Sequence, residues 1–308
     1  MEKTKICLLG GDARQASLAQ HLSRSGYTVA VWGIPDAGYM NNYKTADTPD
    51  VIHAQSAQEA LCSSRAVILP LPATSDGVRV HCAPEDASDR GTHRELRLTQ
   101  LLENMPAGAL LLAGKPPEVL RSMARNARVR LIDYYDSEEV QLKNAVPTAE
   151  GAIAIAMAEL PVTLYGASCT VLGCGRIGRR ISDILRALGA RVTVVARSER
   201  DLNFAQICGC RALPIPEFIE NPGDTDVIFN TIPVPLLGAD TLEKLPGKAL
   251  IIELASTPGG ICTEAQRNCR QKIIRAPSLP GKVAPHSAGE ILSGAITKIL
   301  KKEGVVPL

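Results

Sequence analysis

The stretch Ala167-Ser-Cys-Thr-Val-Leu-Gly-Cys-Gly-Arg-Ile-Gly178 reads as a short buried strand, a glycine-rich turn and the start of a helix that runs from Ile177 to Leu188. Gly173, Gly175 and Gly178 form G-x-G-x-x-G. Gly173 permits a tight turn, Gly175 lets the backbone touch a pyrophosphate, and Gly178 lets the helix lie close on the sheet. The turn at Arg176 and Ile177 points helix N–H groups and the positive dipole end at the phosphates. Such a pattern is weak alone. It gains from the strand before it, the helix after it, and a second strand, Arg191-Val-Thr-Val-Val195, at the expected distance. A dinucleotide site is the reading, and a bare structural turn is the alternative.

NAD sites usually carry Asp or Glu at the end of that second strand, accepting from the ribose 2′-OH. Here the strand runs into Ala196-Arg-Ser-Glu-Arg200. Two guanidinium groups and a hydroxyl suit a phosphate dianion. NADP is therefore expected rather than NAD, with Arg197 and Ser198 on the 2′-phosphate and Arg200 beside them. Two competing readings stand: Glu199 reaching a ribose hydroxyl, and Arg197 as an ordinary solvated loop residue.

The totals narrow the class. A chain of 308 residues suggests two domains, and 45% hydrophobic with 21% charged residues describes a soluble globular protein. A net charge of +2 gives no broad field for nucleic acid or membrane, and 3% aromatic content leaves few stacking platforms for bases. No run of 18 apolar residues appears, and Met1-Glu-Lys-Thr-Lys-Ile6 enters a strand without a signal-peptide core. Nine cysteines without C-x-x-C suggest reduced thiols in a cytoplasm, not disulfides or a metal site.

Outward from the fingerprint, strands alternate with helices along the whole chain. Lys5-Ile-Cys-Leu-Leu9 is a strand, and Gly10-Gly-Asp-Ala-Arg-Gln15 turns into a helix ending near Ser25. The third glycine position holds Gln15, so this is not a dinucleotide fingerprint. Its N–H groups, with Gly11, can still hold a small anion. Asp12 is either the N-cap or a functional group. Arg14 opposes the helix dipole, which a ligand carboxylate or a surface salt bridge explains. Tyr27–Trp32 is a strand, followed by a loop to the strand Ala66-Val-Ile-Leu69, whose end places Pro72, Ala73 and Thr74 beside a cleft. Residues 75–95, with His81 and His93, read as an exposed polar excursion without metal spacing. Strands at Ala109–Leu112 and Val129–Ile132 and helices near 94–104 and 117–126 complete a first domain.

Pro147 marks a helix start that Thr148 can cap. The run after Gly151 is small and apolar on every face, the mark of a buried helix, with Thr148 and Glu150 facing an inter-domain cleft. Beyond the fingerprint, strands at Asp226–Asn230, Ala249–Glu253 and Ile273–Arg275 end in loops that should share one crevice. These put Thr231, Ile232 and Pro233 at the edge of the nicotinamide region, and Leu254 and Ala255 nearby. A loop from Pro277 carries Lys282 and His286 into the cleft, and a helix from Ser287 to about Lys302 returns to the first domain. The expected fold is two doubly wound Rossmann-like α/β domains with mainly parallel sheets, joined by buried connecting helices. The divisions are 1–146 with 286–308 for substrate, 147–161 as connecting helix, and 162–285 for NADP.

Gly10–Gln15, Pro147–Gly151, Leu172–Gly178, Asn230–Pro233, Leu254–Gly260 and Leu279-Pro-Gly-Lys-Val-Ala-Pro-His-Ser-Ala-Gly289, in that order over nearly the whole chain, resemble the A-subunit family of bacterial dipicolinate synthase. The resemblance implies an NADP-dependent oxidoreductase in the mother cell of a sporulating bacterium, converting 4-hydroxy-tetrahydrodipicolinate to dipicolinate. It also implies the flavoprotein-like B subunit of dipicolinate synthase as partner; a homo-oligomer is left open. The family pattern would have Lys where this chain has His286.

That conversion removes water and two electrons, the electrons as hydride, and needs a base for a ring proton. The carboxylates need donors, here Gly11, Arg14, Thr74 and Thr148, with Lys282. Proton-transfer candidates are His286, Lys282, Glu150 and Asp12, of which histidine titrates nearest neutrality. His286 as a cap or surface residue and Glu150 as part of a helix cap are the plainer readings. Two other functions fit the same plan: a dehydrogenase or reductase of an open-chain amino or hydroxy acid, and a non-catalytic NADP-binding subunit.

Overall fold

The structure, a computed structural model, describes residues 4–34, 51–82, 95–256 and 258–307. It divides into two units, Met1–Gln141 with Ala284–Leu308, and Leu142–Val283.

In the first unit the strands are β1 (Lys5–Leu9), β2 (Thr28–Trp32), β3 (Val51–His53), β4 (Ala66–Ile68), β5 (Leu110–Ala113) and β6 (Leu131–Asp133). They pair in the order β3-β2-β1-β4-β5-β6, every pair parallel. Parallel strands covered on both faces read as unbroken apolar runs, as Leu110-Leu-Leu-Ala113 does. Ile6 and Leu8 pack on Leu18 and Leu22 of α1 (Ala13–Arg24) and on Leu292, Ile296 and Leu300 of α12 (Pro285–Lys302). Cys7 and Leu9 point the other way, to α2 (Ala57–Leu61), α3 (Leu98–Glu103) and α4 (Glu118–Asn126).

Helix α12 meets α1 at Gly289, where a Cβ would lie 2.5 Å from Ser17 Oγ and 2.8 Å from the Arg14 carbonyl oxygen. Gly289→Val is expected to cost ~1–3 kcal/mol by overpacking this crossing. Urea denaturation measures it, and an unmoved midpoint would contradict the tight approach.

The second unit holds β7 (Ser168–Leu172), β8 (Arg191–Ala196), β9 (Arg211–Pro214), β10 (Val227–Asn230), β11 (Leu250–Glu253) and β12 (Lys272–Arg275). Their order is β12-β11-β10-β7-β8-β9, again all parallel. Helices α5 (Glu138–Glu159), α6 (Arg176–Ala187) and α7 (Glu199–Ile207) contribute to one face of this sheet. The opposite face takes Phe218 of α8 (Ile215–Glu220), Leu242 of α9 (Ala239–Lys244) and Ala265 of α10 (Thr263–Asn268). In each sheet the chain winds one way from the first strand and then the other. The crevice beyond the carboxyl ends of β1 and β4, and of β7 and β10, is where such a fold binds ligands.

Several elements differ from the sequence expectation. The expected loop between Trp32 and Ala66 contains β3 and α2, with residues 35–50 outside the described part. Strand β3 is a three-residue edge strand, too short for a periodic signal. Helix α5 does not begin at Pro147: it begins at Glu138, with Pro147 inside it. Glu138 and Glu139 suit the positive end of the dipole, and the long helix tolerates the one bond that proline removes. Nor is α5 buried on every side. Ala145, Ala149, Ala152 and Ala156 are buried, whereas Leu142 and Met157 are exposed. The expected loop from Pro277 to His286 is instead α11 (Leu279–Val283) and the first turn of α12. Pro280 and Pro285 stand in first turns, where the missing N–H costs nothing.

Candidate functional site

The second unit's site grows from β7. Gly173 has φ +100, and a Cβ there would run into Thr231 Oγ1. A Cβ at Gly178 would overlap the Gly173 carbonyl oxygen, so α6 can lie this close to the turn only without one. Gly175, the N-cap of α6, is exposed, and a Cβ on it would meet nothing within 4 Å. An open cradle facing a helix N-terminus fits a pyrophosphate. Arg176 is exposed and Ile177 half-buried at the same helix start.

The neighbouring turns are held by a buried polar pair. Asn230 Nδ2 donates to Glu253 Oε1 at 2.7 Å, and these side chains are 0% and 4% exposed. Asn230 also binds both backbone groups of Ile232, while Glu253 accepts from Ala255 N at 3.0 Å and Gly260 N at 2.9 Å. Thr231 Oγ1 donates to Leu172 O at 2.8 Å. Together these bonds fix Thr231, Ile232, Leu254 and Ala255 beside the fingerprint; Pro233 follows at the exposed end. Neither Asn230 nor Glu253 is among the site residues the sequence motifs point to. Their signal, a polar residue ending each of two adjacent apolar strands, was present.

At the tip of β8, Ala196 is buried and Arg197, Ser198, Glu199 and Arg200 are exposed. Among the described residues, Arg197 and Arg200 make no ion pair. Ser198 caps α7, accepting from Asp201 N, and its hydroxyl donates to Asp201 Oδ2 at 2.8 Å. That bond, together with Arg179, holds the Asp201 carboxyl below its usual range. Arg179 donates to Cys174 O at 2.8 Å, pairs with Asp201 at 2.9 Å and lies 4.2 Å from the Phe204 ring centroid. It clamps the glycine turn to α7, a role hidden in the sequence because its partners come from two other elements.

In the first unit β1 runs into Gly10 and Gly11, with φ +71 and +110. Asp12 is the N-cap of α1. Arg14, 4% exposed, grips Asp12 through Nε at 2.9 Å and Nη2 at 2.7 Å, and Nη2 also donates to Leu71 O at 2.6 Å. Thr74, buried, accepts from Gly77 N and donates to Asp76. Gly11, Asp12, Arg14 and Thr74 thus gather at the carboxyl end of one sheet.

The excursion read at 75–95 does not leave the body in its described part. Val80 is buried, His81 N donates to Ala73 O, and Gly11 N donates to His81 O at 2.8 Å. Pairing with the Gly11 turn draws it back; His93 lies outside the described residues. The other expected site residues are carried by helices α5, α11 and α12. Thr148, buried, donates to Asn144 O at 2.8 Å, while Glu150 and Lys282 are exposed on α5 and α11 of the second unit. His286, in the first turn of α12, has its ring 5.1 Å from that of His21. Burial, and then His286, hold His21 below the ordinary histidine range.

All nine cysteines are free thiols. Among the described residues no group of three or more His, Cys, Asp or Glu could hold a metal, and no helix is long and apolar enough to cross a membrane.

Comparison with known proteins gives two family matches. Residues 5–135 match the N-terminal domain of the dipicolinate synthase A subunit, and residues 141–265 match the NAD binding domain of D-isomer specific 2-hydroxyacid dehydrogenases. The dipicolinate synthase A subunit of Bacillus subtilis (strain 168) is 32% identical over 300 residues, covering 96% of this chain and 95% of the relative. The crystal structure of the B. subtilis A chain matches with TM-score 0.79 at 29% identity, covering 98% of this chain and 97% of that one. The crystal structure of the Bacillus halodurans counterpart matches with TM-score 0.81 at 26% identity, covering 96% and 97%.

Proposed function

Because the chain belongs to the A-subunit family of dipicolinate synthase, we propose that it oxidises and dehydrates 4-hydroxy-tetrahydrodipicolinate to dipicolinate with NADP, in the mother cell of a sporulating bacterium and together with the synthase's B subunit. Residues 141–265 form a dehydrogenase-type nicotinamide dinucleotide-binding domain. The observation that carries the choice of NADP is the open cradle at Gly175 beside a strand tip followed by Arg197 and, in the first turn of α7, Arg200, with no carboxylate directly at the strand's end; the substrate rests on the family.

Gly173, Gly175 and the N-terminus of α6 would hold the pyrophosphate. Arg197, Arg200 and Ser198 would take the 2′-phosphate, and Thr231–Pro233 with Leu254 and Ala255 would border the nicotinamide. Bound there, the cofactor supplies a two-electron acceptor. Gly11 N–H is already given to His81 O, so the substrate's carboxylates would meet the buried Arg14, held rigid by Asp12, beside the N-terminus of α1. Thr74 and Thr148 donate elsewhere within the fold, so Thr74 would act by shaping the turn after β4 and Thr148 only within helix α5. His286, Lys282, Glu150 and Asp12 remain candidates for moving protons.

A purified chain given NADP and the cyclic diacid should generate NADPH absorbance. A lack of turnover that is restored by adding the B subunit would mean shared catalysis, and no turnover in either case would reject the proposal. Arg197→Ala is expected to weaken NADP about 10- to 100-fold, the scale of lost charge-assisted bonds, and NAD hardly at all. Calorimetry showing equal weakening of both would remove the 2′-phosphate assignment. The match to 2-hydroxyacid dehydrogenases favours one other reading, oxidation of an open-chain hydroxy acid. Relative turnover of cyclic and open-chain acids separates the two.

A further inference from the structure

We propose that His81 exchanges a proton with the substrate bound in the first unit, its tautomer set by Ser75. This rests on the reading that a cyclic diacid binds beside Gly11. Ser75 Oγ lies 2.7 Å from His81 Nδ1. The backbone that carries the ring is fixed on both sides: His81 N donates to Ala73 O at 2.9 Å, and His81 O accepts from Gly11 N at 2.8 Å. Cys82 then pairs with Gly11 as a parallel bridge. The backbone of His81 is therefore tied to the turn that opens α1, the turn that carries Asp12 and Arg14.

Asp12 and Arg14 are the charged groups that act on the ring. Burial is the larger effect, and with Arg14 it holds His81 below the ordinary histidine range, while Asp12 works against both. Near neutral pH the ring is uncharged and has one lone pair to give. If Nδ1–H donates to Ser75 Oγ, that lone pair is on Nε2. In the oxidation, one ring C–H bond would break with its electron pair leaving as hydride, which a bound nicotinamide would accept. A second hydrogen leaves the ring as a proton, and its bonding pair stays behind in the new ring double bond. His81 Nε2 accepts that proton, becomes imidazolium, and passes the proton to solvent.

The test compares wild-type chain, His81→Gln, His81→Ala and Ser75→Ala, with the B subunit where turnover requires it. His81→Gln should lower kcat by about 100-fold or more, the usual scale for a lost general base, with KM little changed. Wild-type kcat should fall as pH drops through the imidazole's titration, and this acid limb should vanish in His81→Gln. Ser75→Ala should keep the limb but move it, and added imidazole should restore part of kcat to His81→Ala. Unchanged kcat, or an acid limb retained in His81→Gln, overturns the proposal. Should His81→Gln fail to fold, an unmoved limb in Ser75→Ala overturns it instead. A wild-type chain that neither binds pyridine-2,6-dicarboxylate nor turns over the diacid rejects the functional reading and this inference together. An active wild type with an indifferent His81→Gln rejects only the inference.

Discussion

Gly178→Val is expected to abolish dinucleotide binding, and Gly175→Ala to weaken it severely without disturbing the fold. A Cβ at 178 would overlap the Gly173 carbonyl oxygen and stand 3.0 Å from the carbonyl carbon. Both are backbone atoms, so no rotamer relieves the clash. Helix α6 must retreat from β7, and its first N–H groups lose their aim. The dissociation constant should rise by at least about 100-fold, near 2.7 kcal/mol, and the melting temperature should fall. At 175 an added methyl meets no protein atom within 4 Å. Gly175→Ala should therefore melt like wild type, while its methyl occupies the space a pyrophosphate needs. Titration calorimetry and thermal melts on both variants check this. Full-strength binding by Gly175→Ala would put the phosphates somewhere else.

Asp12→Ala is expected to destabilise the first unit by about 3–5 kcal/mol, the cost of leaving a buried charge without its partner. Arg14 is 4% exposed, and without Asp12 it would keep only the Leu71 carbonyl among its acceptors here. The helix would also lose its cap, worth about 1 kcal/mol. Arg14→Met should cost less, because Asp12 is 22% exposed and still accepts from the backbone N–H of residue 14. Urea denaturation of the two variants measures the asymmetry. Equal losses would mean that the ion pair is not what holds this turn.

The glycine fingerprint, the apolar runs of the central strands and the parallel alternation were all legible, because each is a local pattern with a fixed period or spacing. Strand β9, Arg211-Ala-Leu-Pro214, has no β-branched residue and ends in proline. It is tolerated only because it lies at a sheet edge. Local signals place the start of α5 at Pro147 rather than Glu138, since proline is a strong local helix-start signal and an acidic first turn a weak one. The site was legible where the backbone does the binding, at Gly173 to Gly178. It was not legible where side chains meet across the sheet. Asn230 with Glu253, and Arg179 with Asp201, join residues more than a turn of helix apart in sequence. His81 reaches the Gly11 turn only through a bridge across about seventy residues.

The winding of the first unit also sets a schedule for synthesis. Leu292, Ile296 and Leu300 complete the layer over Ile6 and Leu8, yet they leave the ribosome after every strand of both sheets. Tyr27 and Thr4 wait longer still, for the carbonyls of Val305 and Val306. A nascent chain can close its second unit while the first still shows an uncovered apolar flank. Strand β1, translated before every other strand of the two sheets, is among the last to be sealed, and a chaperone that shields such a flank would have its work on the first unit.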